Sequence, residues 1–180
     1  MSVLAERVLA IHAALDSAGI PHAFGGALAL AYCTEEPRGT RDVDVNVFVG
    51  ADRAGRVLAA LPAGVAVDAR DVAAAEQDGQ VRLWWEDTPV DVFFDVHDLH
   101  AAAQASVRAV PFSGVTIPVL GCDAIAVFKV VFNRTKDWAD VEAMLEVDAF
   151  DRSAVLGWVV RLFGPEDRRT TRLLQMLATR

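Results

Sequence analysis

The chain has 180 residues, of which 53% are hydrophobic and 23% charged, and its formal net charge is −8. That length supports one full core, or a catalytic unit with a small helical annex, and the composition excludes a disordered or low-complexity chain. The acidic balance excludes a dedicated, sequence-independent nucleic-acid binder, which needs a basic surface.

The chain opens on Leu4, Val8, Ile11 and Leu15 at three- and four-residue steps, which predicts an amphipathic helix ended by Gly19 and Pro21. Glu6 and Arg7 interrupt its apolar run, so it reads as a helix of the mature protein and not as a signal peptide. HAFGG is a short strand running into a Gly-Gly turn, ALALAYC returns to helix, and DVDVNVFV alternates with the period of a two-faced strand. Residues 52–61 predict a helix closed by Pro62 and Gly64, and AVDARDVAAAEQD a partly helical stretch. QVRLWWE and PVDVFFDV follow as two strands joined at Asp87-Thr88, then a helix in HDLHAAAQASV. RAVPF and VTIPVL are two short strands broken by Ser113-Gly114. From Cys122 onward every segment reads as helix.

Strands early and helices late give an α+β fold: a mixed sheet core flanked by helices over 1–120, and a C-terminal helical region over 121–180. No apolar run approaches the length of a membrane span. Cys33 and Cys122 stand in unrelated contexts without metal spacing, from which a reducing, cytoplasmic location is expected. The C-terminal surplus of Arg161, Arg168, Arg169, Arg172 and Arg180 over Glu166 and Asp167 reads as a solvated helix face, with a polyanion site as the alternative.

The chemistry concentrates in three places. Asp42 and Asp44, two apart on a strand, point to one face, while Val43, Val45 and Val47 pack the other. Side-by-side carboxylates repel unless a cation compensates, and hard oxygen ligands suit magnesium; the competing reading is an acidic face on an exposed edge strand. Asp91 lies within the apolar run Val90 to Phe94, where a charge must be paired or ligate a metal. Three carboxylates from two strands suit two metal ions, and Asp91 could also take the proton of an attacking hydroxyl; the competing reading is an ion pair with an arginine such as Arg82. Gly25 and Gly26 join a strand to a helix, where backbone N–H groups can meet an anion, although a Gly-Gly pair alone is equally a turn. His22, His97 and His100 show no metal spacing, Trp84 and Trp85 place one ring on each face of a strand, and neither a nucleophile elbow nor a P-loop is present.

Together G-G-A-L-A-L-A-Y, R-G-T-R-D-V-D-V and P-V-D-V-F-F resemble the polymerase-beta-like nucleotidyltransferase superfamily. The form built on Arg38, Thr40, Asp42 and Asp44 is most similar to the AbiEii toxin-type branch, and is also similar to the small aminoglycoside nucleotidyltransferases. The helical Lys129, followed by Arg134 and Lys136-Asp137-Trp138-Ala139-Asp140, strengthens the likeness to the toxin branch. The resemblance implies that Gly25 and Gly26, with Arg38 and Thr40, hold an NTP such as ATP, that Asp42, Asp44 and Asp91 bind two magnesium ions (or manganese), and that Lys129 reaches the phosphates. Asp137 and Asp140 would touch substrate or pin Arg134 and Lys136. The implied reaction moves a nucleoside monophosphate onto an RNA, a protein or a small molecule, and a toxin-type enzyme would have a cognate antitoxin. An antibiotic-modifying enzyme is the alternative, since an acidic protein suits a cationic acceptor. A nucleotide-binding protein that kept the fold without turnover is disfavoured by the presence of all three carboxylates and Lys129.

Overall fold

A computed structural model describes residues 2–37 and 39–179. Arg38 and Arg180 lie outside the described residues. The backbone groups into two compact units, the first Met1–Leu28 with Arg38–Leu120, the second Ala29–Pro37 with Gly121–Arg180.

The first unit opens on α1 (Val3–Ser17), capped by the Ser2 hydroxyl, which accepts from the Ala5 N–H. Its Val8, Ile11 and Leu15 are buried, and the helix gives way to Gly19 in the left-handed region. Strand β1 (His22–Phe24) is fully buried and runs into α2 (Gly26–Thr34), which begins in the first unit and continues into the second. Strand β2 (Val43–Gly50) follows, with Val43, Val45 and Val47 in the core as their alternation requires. The expected helix over 52–61 is a 3-10 turn, Ala51–Arg53, leading into α3 (Ala54–Ala59). The partly helical stretch is a full helix, α4 (Ala69–Asp78), because Asp68 and Asp71 form a reciprocal capping box and Gly79 closes it in the left-handed conformation.

Strands β3 (Gln80–Trp85) and β4 (Thr88–Asp95) form a hairpin whose turn is Glu86-Asp87, one residue earlier than the sequence pattern suggested. Thr88 is drawn into the strand because it is buried and its hydroxyl is bonded by the buried guanidinium of Arg7, which also binds Glu86 and Asp87. After α5 (Asp98–Ala105), β5 (Arg108–Phe112) and β6 (Val115–Val119) complete a six-stranded sheet of order β3-β4-β2-β1-β6-β5. The β2–β4 and β1–β6 pairs are parallel and the other three antiparallel, so the sheet is mixed.

In the second unit, α6 (Cys122–Phe132) packs on α7 (Thr135–Glu146) and α8 (Arg152–Phe163), and α8 packs on α9 (Arg168–Ala178). Trp138, Val141, Met144, Val155, Val159 and Leu173 are among its buried side chains. Arg161, Arg169 and Arg172 stack over Trp158, Phe163 and Trp138, so three of the C-terminal arginines are used in packing within this unit. Cys33 and Cys122, which sequence context left unrelated, are joined in a disulfide with a Cα–Cα distance of 5.6 Å. Cysteine usage therefore carries no argument for a reducing compartment. Among the described residues no helix is long and apolar enough to cross a membrane.

Candidate active site

The carboxylates of the first unit are gathered by strand pairing. In the parallel β2–β4 ladder Val43 faces Val90 and Asp44 faces Asp91, so the two aspartates are register partners on one face of the sheet. Asp42 immediately precedes β2 and shares that face by period two, just outside the strand on which the sequence placed it. Its backbone N–H donates to the Thr40 hydroxyl at 3.2 Å, so Thr40 shapes the entry to the strand. On the opposite face Val43, Val45, Val90, Val92 and Phe94 are buried, which fixes the direction of the aspartates.

Gly25 and Gly26 are required by the same strand. The Gly25 N–H donates to the Asp44 carbonyl at 2.9 Å, and a Cβ on Gly25 would lie 2.9 Å from Asn46 Nδ2. Gly26 has φ +53°, and a Cβ there would fall 1.8 Å from Asp44 Oδ2. The Asp44 carboxylate thus occupies the space that a side chain at 26 would fill. Because the Gly25 N–H is committed to Asp44, an anion could be met only by N–H groups from Gly26 onward, in the first turn of α2.

Asp91 is not isolated. Arg82, its register partner on β3, donates from Nε to Oδ1 and from Nη2 to Oδ2, both at 2.7 Å. The row across the sheet is therefore Asp44, Asp91, Arg82. Hydrogen bonding to Asp91 and its charge raise the Arg82 pKa, with smaller contributions from Asp42 and Asp44. Arg82 thereby supplies one positive charge to a three-carboxylate face.

Whether the face suits a metal can be judged from its donors. Among the described residues no three His, Cys, Asp or Glu side chains are already arranged to hold an ion. Asp42, Asp44 and Asp91 nevertheless bring hard oxygen donors to one face, and a cationic group already stands at Asp91. The donor set fits a divalent cation on one condition, that Arg82 releases Asp91.

Lys129 belongs to the second unit. Its Nζ lies 2.6 Å from Asp140 Oδ2 and 3.4 Å from Asp137 Oδ1. Asp137 is fully buried and also accepts from the Arg134 backbone N–H, Nε and Nη2. Burial pushes the Asp137 carboxyl up, but the Arg134 hydrogen bonds and the Lys129 charge outweigh it and hold it below its ordinary value. The second partner of these aspartates is thus Lys129, not the Lys136 that the sequence suggested; Lys136 is exposed.

At the far end of β1, His12 Nδ1 lies 2.9 Å from His22 Nε2, while His22 Nδ1 faces the Ile20 carbonyl at 2.9 Å. A cavity of about 470 Å³ adjoins this pair, and it holds none of the expected site residues. Sequence reasoning named Arg82 only as a rival partner and passed over Asn46, which is buried on the Asp44 face. The signal available for both was position parity along β2 and β3.

No family model and no curated protein matches the chain. Among solved structures, the solution structure of the antibiotic-resistance factor ANT(2'')-Ia aligns with a TM-score of 0.61 at 16% identity, covering 84% of this chain and 86% of that one. The crystal structure of ANT(2'')-Ia in complex with adenylyl-2''-tobramycin gives 0.61 and 16%, covering 86% and 93%. An antigenic nucleotidyltransferase-like protein from Paracoccidioides brasiliensis gives 0.56 and 16%, covering 99% and 89%. The chain has the nucleotidyltransferase fold. That likeness is one of fold; the resemblance to the superfamily and to its AbiEii branch rests on the sequence motifs.

Proposed function

We propose that the chain is a magnesium-dependent nucleotidyltransferase that moves a nucleoside monophosphate from an NTP to an acceptor hydroxyl. The observation that carries this reading is the pairing of Asp44 with Asp91 on adjacent parallel strands, with the Asp44 carboxylate seated against Gly26. Asp42, Asp44 and Asp91 would hold the metal, which when bound neutralises charge on the phosphates. Gly26 and the first turn of α2 present backbone N–H groups to the phosphates, and the absence of a side chain at 26 leaves Asp44 its place. An acceptor oxygen would bond to the α-phosphorus as the bond to the pyrophosphate oxygen breaks, and Asp91 would take the hydroxyl proton. Arg82 would give up Asp91 when the metal binds.

The toxin-type motif supports an RNA or protein acceptor, with an antitoxin as partner. The net charge of −8 and the antibiotic-modifying fold neighbours support a small cationic acceptor instead. The test is incubation with each α-labelled NTP and magnesium, against total RNA and against an aminoglycoside panel. Label transfer that Asp44→Asn abolishes is expected. Absence of both transfer and NTP binding would contradict the proposal.

A further inference from the structure

The cavity at the far end of β1 holds chemistry that the carboxylate face does not use. It lies within the first unit, and His22, at the end of β1 away from Gly25 and Gly26, forms part of its wall. His12 and Asp16, one turn apart on α1, share a helix face and line it as well. Ile20, Phe48 and Val107 give it an apolar wall.

The hydrogen bonds of the two histidines run in one direction. The Ile20 carbonyl can only accept, so His22 Nδ1 carries a hydrogen and donates to it. Burial lowers the His22 pKa and keeps the ring neutral, which leaves its Nε2 as an acceptor. The hydrogen between the rings therefore sits on His12 Nδ1, and neutral His12 is left with a bare Nε2 on the side away from His22. Engagement of the Nδ1–H makes that Nε2 more basic.

The charge of the cavity has one sign. Among the described residues that line it, Asp16 alone carries a fixed charge. Asp16 stands in the last turn of α1, which holds no basic residue and where the helix dipole favours a cation. Arg56 approaches this end of α1 from α3, but its guanidinium donates to the Ala18 carbonyl. The cavity thus offers a carboxylate, a ring nitrogen and the Gln104 amide oxygen beside an apolar wall. An ammonium group, with three hydrogens and no acceptor, matches that set. A metal ion fits less well: His22 Nε2 is engaged by His12, and no three such side chains surround an ion among the described residues. A volume of about 470 Å³ also has room for an organic body. We propose that this cavity binds a primary amine with a compact apolar body, at a site separate from the carboxylate face.

Calorimetric titration of the full chain tests this, with 2-phenylethylamine as the probe and 2-phenylethanol as its uncharged counterpart. The wild type is expected to bind the amine about tenfold or more tightly than the alcohol, and Asp16→Asn and His12→Phe each to lose about tenfold in amine affinity. Asp16 is exposed and His12 half-buried, so both variants should keep the wild-type melting temperature. Asp44→Asn should bind the amine as the wild type does, since Asp44 is not in the cavity. No amine binding by the wild type, equal affinity for amine and alcohol, or unchanged amine affinity in either cavity variant would each overturn the proposal. So would loss of amine binding in Asp44→Asn, which would put the amine at the carboxylate face. Zinc binding that His12→Phe abolishes, without amine binding, would make the cavity a metal site instead.

Discussion

Asp91 in the first unit and Asp137 in the second each grip an arginine with both carboxylate oxygens, and Arg82 and Arg134 are each 54% exposed. The difference lies in the carboxylates. Asp137 is 0% exposed and takes a backbone N–H and Lys129 besides its arginine, whereas the Asp91 side chain keeps 15% exposure and stands in register with Asp44. A closed and buried network costs much to open, because a lost partner leaves a charge without compensation. A half-open pair beside two more carboxylates can exchange its arginine for another cation at little cost. The same two residue types thus make a structural lock in one unit and an exchangeable site in the other.

Substitution separates the two. Asp44→Asn is expected to lower nucleotidyl transfer about a thousandfold or more while leaving the melting temperature of the metal-free protein unchanged or slightly higher, since it removes like-charge repulsion. A large fall in that melting temperature would make Asp44 structural and erase the contrast. Asp137→Ala should do the reverse, lowering stability by about 3 kcal/mol in a urea titration because Arg134 and Lys129 lose a buried partner. A loss under about 1 kcal/mol, the range of exposed pairs, would show that the second network is no lock.

Acid sharpens the comparison with smaller effects. Asp137 has a lowered pKa, so its contribution is present above the ordinary carboxylate value of 3.8 and is lost as pH falls below it toward the folded value. His22 is lowered chiefly by burial, so the unfolded chain takes up its proton first and stability declines as pH falls below 6.5. Melting curves should therefore weaken in two stages, with Asp137→Asn reducing the lower and His22→Gln the upper. A single stage unchanged by either variant would contradict both assignments.

How far the sequence disclosed this follows from the range of each interaction. Asp42, Asp44 and the Gly25-Gly26 turn were legible because period-two alternation and the glycine pair are local signals. That Gly26 makes room for the Asp44 carboxylate was not, since the contact crosses from one element to another. Asp91 was legible as a charge in an apolar strand, but its pairing with Arg82 depends on hairpin register, and the turn lies one residue from where the pattern put it. Thr88 belongs to the strand because of Arg7 on α1, a tertiary cause. The Cys33–Cys122 bond spans 89 residues and left no local trace. Helix α4 was undervalued because its decisive feature, the Asp68–Asp71 capping box, is weak beside its sparse apolar pattern.

The central claim is that Asp42, Asp44 and Asp91 form a cation site from which Arg82 can be displaced. Thermal melting in a magnesium titration with ATP, on the wild type, Asp44→Asn and Arg82→Gln, tests it most directly. The wild type should gain melting temperature with magnesium, Asp44→Asn should lose that gain, and Arg82→Gln should reach it at a lower magnesium concentration because the cation has no rival. An identical magnesium response in all three proteins would contradict the account.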